Sequence, residues 1–101
     1  MPEFNYQQLD DVIHSRIRLA IMALLVSVES ATFVFIRDQI KASDGNLSVH
    51  IRKLEEVKYV SSTKNFVDRK PITTFVITKL GRSAFEGYID RLSLLVKQNL
   101  S

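Results

Sequence analysis

The residues best equipped for chemistry are hydrogen-bond donors that share one face of a predicted helix over about residues 46–57. Leu47, Ile51 and Leu54 recur at spacings of four and three, which predicts a helix with one buried side. At about 100° per residue the outward side carries Val49, Arg52, Lys53 and Glu56, and Asn46, Ser48 and His50 flank it near the N-terminal end. Such donors can bind phosphate oxygens and base edges, and a valine methyl can contact thymine.

A predicted β-hairpin, the wing, covers about residues 60–78 and adds cations beside that helix. Residues 59–67 and 72–78 are rich in β-branched and aromatic side chains, which is typical of strands. Residues 68–71 lie between them, and the basic side chains are Lys64, Arg69 and Lys70. We therefore expect the helix to enter the major groove of DNA while the wing reaches the backbone or the minor groove.

Three further helices must position this pair. The first is expected to begin at Asp10 or Asp11, with an aspartate as its cap, and it is apolar on several sides. A short β-leaning run over 33–36 and a second helix over 35–42 follow, and residues 43–46 form a turn. The last helix starts after a Thr78 cap and runs to about Asn99.

This order of elements predicts an α+β fold that is mainly α with a small β-hairpin and a long C-terminal helix. Residues 1–9 are interpreted as an N-terminal arm, and residues 10–101 as one domain. The last helix carries a longer apolar stripe than one core of this size needs. We expect it to form a homodimer through Tyr88, Leu92, Leu95 and Val96, which would place two outward helices about 34–36 Å apart on a pseudo-palindromic operator.

Several stretches resemble one known group of proteins. The most specific stretch is residues 44–55, supported by residues 14–22, 57–60, 69–71 and 77–85. Over about residues 10–100 the chain resembles the small single-domain winged-helix transcriptional regulators related to the MarR and ArsR families. The resemblance implies a winged helix-turn-helix fold and a DNA-binding regulator that dimerises through its terminal helices. Lys58 stands where many relatives have glycine before the aromatic Tyr59.

Composition narrows the class of protein further. The net charge is −2 over residues 1–35, +3 over residues 36–70 and +2 over residues 71–101, so the positive charge lies where a polyanion would bind. The chain has no cysteine, which favours a reducing, cytoplasmic setting and argues against thiolate metal sites. We expect no cofactor, no metal, no membrane contact and no enzymatic activity, because no catalytic constellation is visible.

Two other readings remain open at this level. The chain could be a winged-helix module that contacts only proteins within a larger assembly. It could also bind a small-molecule effector between its first and last helices, which is compatible with DNA binding. His14 is interpreted as a boundary histidine that extends the stripe of the first helix, and the pair Asp10 and Asp11 as a capping region.

Overall fold

The structure, a computed structural model, describes residues 6–100. After a short 3-10 turn at Tyr6–Gln8, the elements are α1 (Arg16–Val26), β1 (Ala31–Thr32), α2 (Phe33–Ile40), α3 (Asp44–Glu56), β2 (Val60–Val67), β3 (Lys70–Ile77) and α4 (Lys79–Leu100). The strands form one antiparallel sheet in the order β1-β3-β2. The expected α+β fold with a small hairpin and a long last helix is confirmed. The first five residues of the predicted arm lie outside the described residues.

The first helix begins later than the sequence predicts, at Arg16 and not at Asp10 or Asp11. Its cap is Ser15, whose Oγ accepts from the backbone NH of Arg18 at 3.4 Å. Asp10 caps a separate turn, where its Oδ1 accepts from the NH groups of Val12 and Ile13. That turn buries Ile13 completely, so the chain must bend before α1 can start. His14 therefore precedes α1 and does not extend its stripe.

The β-leaning run over residues 33–36 is part of a helix, so that prediction is wrong. The strand comprises only Ala31 and Thr32, which pair with Phe75 and Thr74. Thr32 Oγ1 then accepts from the NH of Phe35 at 3.1 Å. This hydrogen bond caps α2, so the apolar residues 33–36 form the start of that helix. At the other end, Lys41 adopts a left-handed φ of 62° and donates its NH to the carbonyl of Arg37.

The buried side of α3 is the one that the sequence predicts. Leu47, Ile51 and Leu54 are at most 3% exposed, and the helix begins two residues earlier than expected because Ser43 Oγ accepts from the NH of Asn46. At its end, Lys58 has a φ of 65°. The NH groups of Lys58 and Tyr59 donate to the carbonyls of Glu55 and Leu54 at 2.9 Å each, which is a Schellman C-cap with lysine at the position that glycine usually occupies.

The hairpin connection is shorter than the predicted four residues. Val67 pairs with Lys70 and Phe66 with Pro71, so Lys70 and Pro71 belong to β3 and only Asp68 and Arg69 form the turn. Both turn residues have positive φ, 52° and 66°, as a two-residue turn that follows the strand twist requires. The basic tip is thus a tight turn at the end of two eight-residue strands.

The base of the wing is fastened to α4 through Thr78. Its backbone NH donates to the carbonyl of Tyr59 at 3.0 Å, its hydroxyl donates to the carbonyl of Lys58 at 2.6 Å, and its Oγ1 accepts from the NH of Gly81 at 2.9 Å. The predicted Thr78 cap is confirmed. A Cβ on Gly81 would lie 2.1 Å from the carbonyl oxygen of Tyr59, so α4 can lie this close only with glycine here.

The shape of the chain is extended for its length. Its radius of gyration is 15.5 Å, whereas a compact domain of this size has about 13 Å. The core lies where α1, α2, α3 and the sheet meet, and Tyr88 joins it from α4. None of the described helices is long and apolar enough to cross a membrane.

Candidate nucleic-acid interface

The outer face of α3 is a polar surface around one exposed valine. Asn46, Ser48, Arg52 and Lys53 are all exposed, and Val49 is 50% exposed. The acidic residues of α3 lie at its two ends: Asp44 binds Arg37 at 3.1 Å, Glu55 accepts from Ser62, and Glu56 is exposed. The middle of the face therefore presents donors, cations and one apolar contact. These predicted residues share one accessible side of the helix.

His50 differs from these neighbours because it already has a protein partner. Nη1 of Arg18 lies 2.9 Å from Nδ1 of His50. A guanidinium can only donate, so Nδ1 accepts and the proton of the neutral ring is on Nε2. Burial, and then the charges of Arg18 and Lys53, lower the pKa of His50 below its ordinary value of 6.5. The only donor left for an external ligand is Nε2–H.

Arg18 is a positioning residue that sequence reasoning missed. It lies on α1, and besides the contact with His50 its Nε donates to the carbonyl of Val12. The Arg18 side chain thus joins the turn before α1 to α3. The available signal was an arginine between the apolar residues Ile17 and Leu19, but its partner is 32 residues away and no local pattern identifies it.

Strand β2 beyond its first residue and the turn of the wing are exposed. Every residue from 61 to 70 is exposed, including the predicted Lys64, Arg69 and Lys70. Near the start of β2, the Ser62 hydroxyl donates to Oε2 of Glu55 at 3.1 Å. This contact holds the wing against the end of α3, so the two predicted surfaces are neighbours.

The base of the wing is held by a second contact that the sequence did not reveal. The hydroxyl of Tyr59 donates to Oδ2 of Asp10 at 2.6 Å. Burial, and then this hydrogen bond, raise the pKa of Tyr59 to about 12, so the phenol stays a donor throughout the neutral range. The Asp10 carboxylate therefore caps its own turn and also anchors the residue at the foot of β2.

The predicted dimerisation residues fall into three environments. Tyr88 is 2% exposed, and its hydroxyl lies 2.8 Å from Nδ1 of His14. So buried a side chain offers a partner little surface, and we reassign it to the core of the chain. Leu92 and Leu95 are partly buried against that core, whereas Val96 is 47% exposed.

An open cleft of about 510 Å³ lies beside α3 and not where an effector pocket was expected. It is lined by the N-cap and three residues of α1, with one residue each from α2 and α3: Ser15, Arg16, Ile17, Ala20, Ile40 and His50. None of these belongs to α4, so this cleft does not lie between the first and last helices. Among the described residues, no three His, Cys, Asp or Glu side chains form a group that could hold a metal ion.

Comparisons with known proteins agree with this geometry. A family model described as a winged helix DNA-binding domain matches residues 17–96. An uncharacterized protein of Methanocaldococcus jannaschii is 35% identical over 86 residues, which cover 85% of this chain and 94% of that protein. The structure of a transcriptional regulator homologue from Pyrococcus horikoshii has a TM-score of 0.83 at 29% identity, covering 89% of each chain.

A more distant likeness includes a complex with DNA. PadR of Bacillus subtilis, solved with operator DNA, has a TM-score of 0.63 at 15% identity, over 69% of this chain and 44% of PadR. At that identity the likeness concerns the fold alone. The resemblance to small winged-helix regulators that the sequence indicated is confirmed by the family match.

Proposed function

The chain belongs to the family of winged helix DNA-binding domains, and we propose that it is a sequence-specific transcriptional regulator that binds double-stranded DNA as a homodimer. The observation that carries this proposal is the outer face of α3, where donors and cations are exposed together on a helix whose other side is locked into the core. A helix held in this way can enter the major groove without losing contacts of its own.

Within the groove, we assign distinct roles to the residues of α3. Arg52 is the strongest candidate for reading a base, because a guanidinium can donate two hydrogen bonds to guanine. Val49 offers methyl groups to thymine, and His50 can donate only through Nε2–H because Arg18 occupies Nδ1. Asn46, Ser48 and Lys53 would complete the contacts with bases and phosphates.

The wing would supply contacts that carry little sequence information. Lys64, Arg69 and Lys70 are exposed along it, and residues 61–70 have a net charge of +2. Cations of this kind neutralise phosphates and release counterions, which makes binding depend on salt.

The test of DNA binding is a fluorescence-anisotropy titration over a range of salt concentrations. Its probe is a duplex recovered by selection from a random pool with the parent protein. We expect Arg52→Ala to lose about 1–3 kcal/mol on that duplex and less on a scrambled duplex. Arg91→Ala, which removes an exposed cation of α4, is the matched control and should leave both affinities unchanged. A parent protein without salt-dependent affinity for any duplex would favour the reading as a protein-interaction module.

The proposal of a homodimer is supported by the apolar surface of α4. Ile89 and Val96 are 38% and 47% exposed, and seven residues bring them back to the same side of a helix. Leu92, partly buried, lies next to Val96 at a spacing of four. These three residues form an apolar strip, and a two-fold axis beside it would pack the strip against the same strip of a second copy.

One helix supplies both the test residue and the control for assembly. Val96→Asp places a charge in the strip and should give a monomer by sedimentation equilibrium at micromolar concentration. Leu94 is 56% exposed but lies about 200° away around the helix axis, so Leu94→Asp should leave the dimer intact. A monomeric parent, or equal dissociation by both variants, would contradict this interface.

A further inference from the structure

The largest exposed apolar side chain of the wing has no role in the contacts described so far. Phe66 is 76% exposed, more than any other large apolar side chain in the described part of the chain. It lies on β2 one residue pair from the turn, where it pairs with Pro71. Folding leaves this ring uncovered, so a ligand can contact it without disturbing the core.

The register of the hairpin shows which way this side chain points. Side chains two residues apart along a strand share a face, so Ser62, Lys64 and Phe66 lie on one side of β2. Ser62 on that side donates to Glu55 at the end of α3. Phe66 is therefore on the side of the wing that faces α3, and a duplex held by α3 would lie on that side.

The surroundings of Phe66 match a polyanion with an apolar interior. Lys64 shares its face, and Arg69 and Lys70 lie at the turn, while Asp68 is the only acidic residue among residues 61–70. Cations around one aromatic ring suit phosphates that flank stacked bases, whose faces are apolar. The hairpin ends in a two-residue turn, and a minor groove of about 6 Å would admit single side chains from this end and not both strands.

From this arrangement we propose that Phe66 is a wedge that enters the minor groove of bound DNA and partly unstacks a base step, while Lys64 and Arg69 hold the flanking phosphates. The inference rests on the proposed DNA-binding function and adds to it a bend in the duplex. Apolar wedges of this kind kink DNA toward the major groove, which would bring more of the duplex against α3.

The test compares two truncations on opposite faces of the same strand. Phe66→Ala and Val67→Ala both shorten exposed side chains, since Val67 is 52% exposed, and neither removes a charge. On the selected duplex, we expect Phe66→Ala to weaken binding about tenfold, as loss of aromatic contact with bases does, and Val67→Ala to weaken it less than twofold. The slope of log affinity against log salt should stay close to the parent value for both, because neither variant removes a cation.

Bending gives a second measurement, independent of affinity. A duplex labelled at both ends should show higher energy transfer with the parent than with Phe66→Ala at saturating protein, and Phe66→Leu should restore most of it. Equal transfer for the parent and Phe66→Ala, or equal weakening by Phe66→Ala and Val67→Ala, would overturn the wedge while leaving the proposed function intact. Self-association of the parent that Phe66→Ala abolishes would assign Phe66 to a second copy and also overturn it. Failure of the parent to bind any duplex would refute the proposed function itself.

Discussion

The base and the tip of the wing are two ends of one hairpin, but they differ as surfaces. At the base, Val60 and Phe75 are at most 6% exposed, and Tyr59 and Thr78 join the strands to the N-terminal turn and to α4. At the tip, beyond the contact of Ser62 with Glu55, every residue from 63 to 70 is exposed. The base therefore sets the direction of the wing, and the tip is free to meet a partner. Changes at the base should alter stability, and changes at the tip should alter binding alone.

The largest effect on the free energy of unfolding is expected at Gly81. Gly81→Ala would place a Cβ 2.1 Å from the Tyr59 carbonyl oxygen and 2.8 Å from its carbon. Both atoms are backbone, so either α4 or the foot of β2 must move. We expect a loss of about 3 kcal/mol, at the upper end of overpacking in a core, measured by urea denaturation.

Gly87→Ala is the control for this prediction, because it makes the same substitution in the same helix. The new Cβ would meet only the Arg91 guanidinium, at 3.6 Å, so the higher helix propensity of alanine should stabilise the protein by up to about 1 kcal/mol. If both variants lose the same stability, the close approach at Gly81 is not what holds the base.

A smaller effect of opposite sign is expected at Lys58. The residue holds a φ of 65° within the Schellman cap, a conformation that side chains with a Cβ adopt at a cost. Lys58→Gly should therefore stabilise the protein by about 0.5–1 kcal/mol, after allowing for the greater freedom of glycine in the unfolded chain. Lys58→Ala removes the charge but keeps the Cβ, so a similar gain from alanine would show that backbone strain is not the cause.

Some parts of this structure could be predicted from the sequence, and others could not. Periodicity predicted the buried side of α3, and hence its exposed donors, because phase along a helix is a local property. The start of α1 was wrong because Asp10 caps a different turn, and the turn length was wrong because Asp68 and Arg69 adopt positive φ without glycine. The contact between Arg18 and His50 joins separate helices, so no local pattern reports it.

The pH dependence of stability should show the state of His50. Because burial and nearby cations lower its pKa in the folded protein, protons bind the unfolded chain more readily. The free energy of unfolding should therefore decline as the pH falls below about 6.5, with the loss growing until the pH passes the lowered pKa. Urea denaturation at pH 7.5 and 5.5 measures this decline.

His50→Gln retains an acceptor for Arg18 but does not titrate, so it should decline less over the same interval. His14 and the carboxylates are common to both proteins and cancel in the comparison. Equal declines in both proteins would show that His50 does not carry the effect.

The smallest change in stability is expected at the tip, where Arg69→Ala exchanges one exposed side chain for another at the same positive φ. We expect less than about 0.5 kcal/mol in the free energy of unfolding. DNA binding should nevertheless weaken on selected and scrambled duplexes alike, and the salt slope should fall by about 2, because each subunit of the dimer loses one phosphate contact. Arg69→Lys keeps the charge and should retain the slope. If Arg69→Ala lowered stability as much as Gly81→Ala does, the tip would share the structural role of the base, and the division between the two ends of the wing would fail.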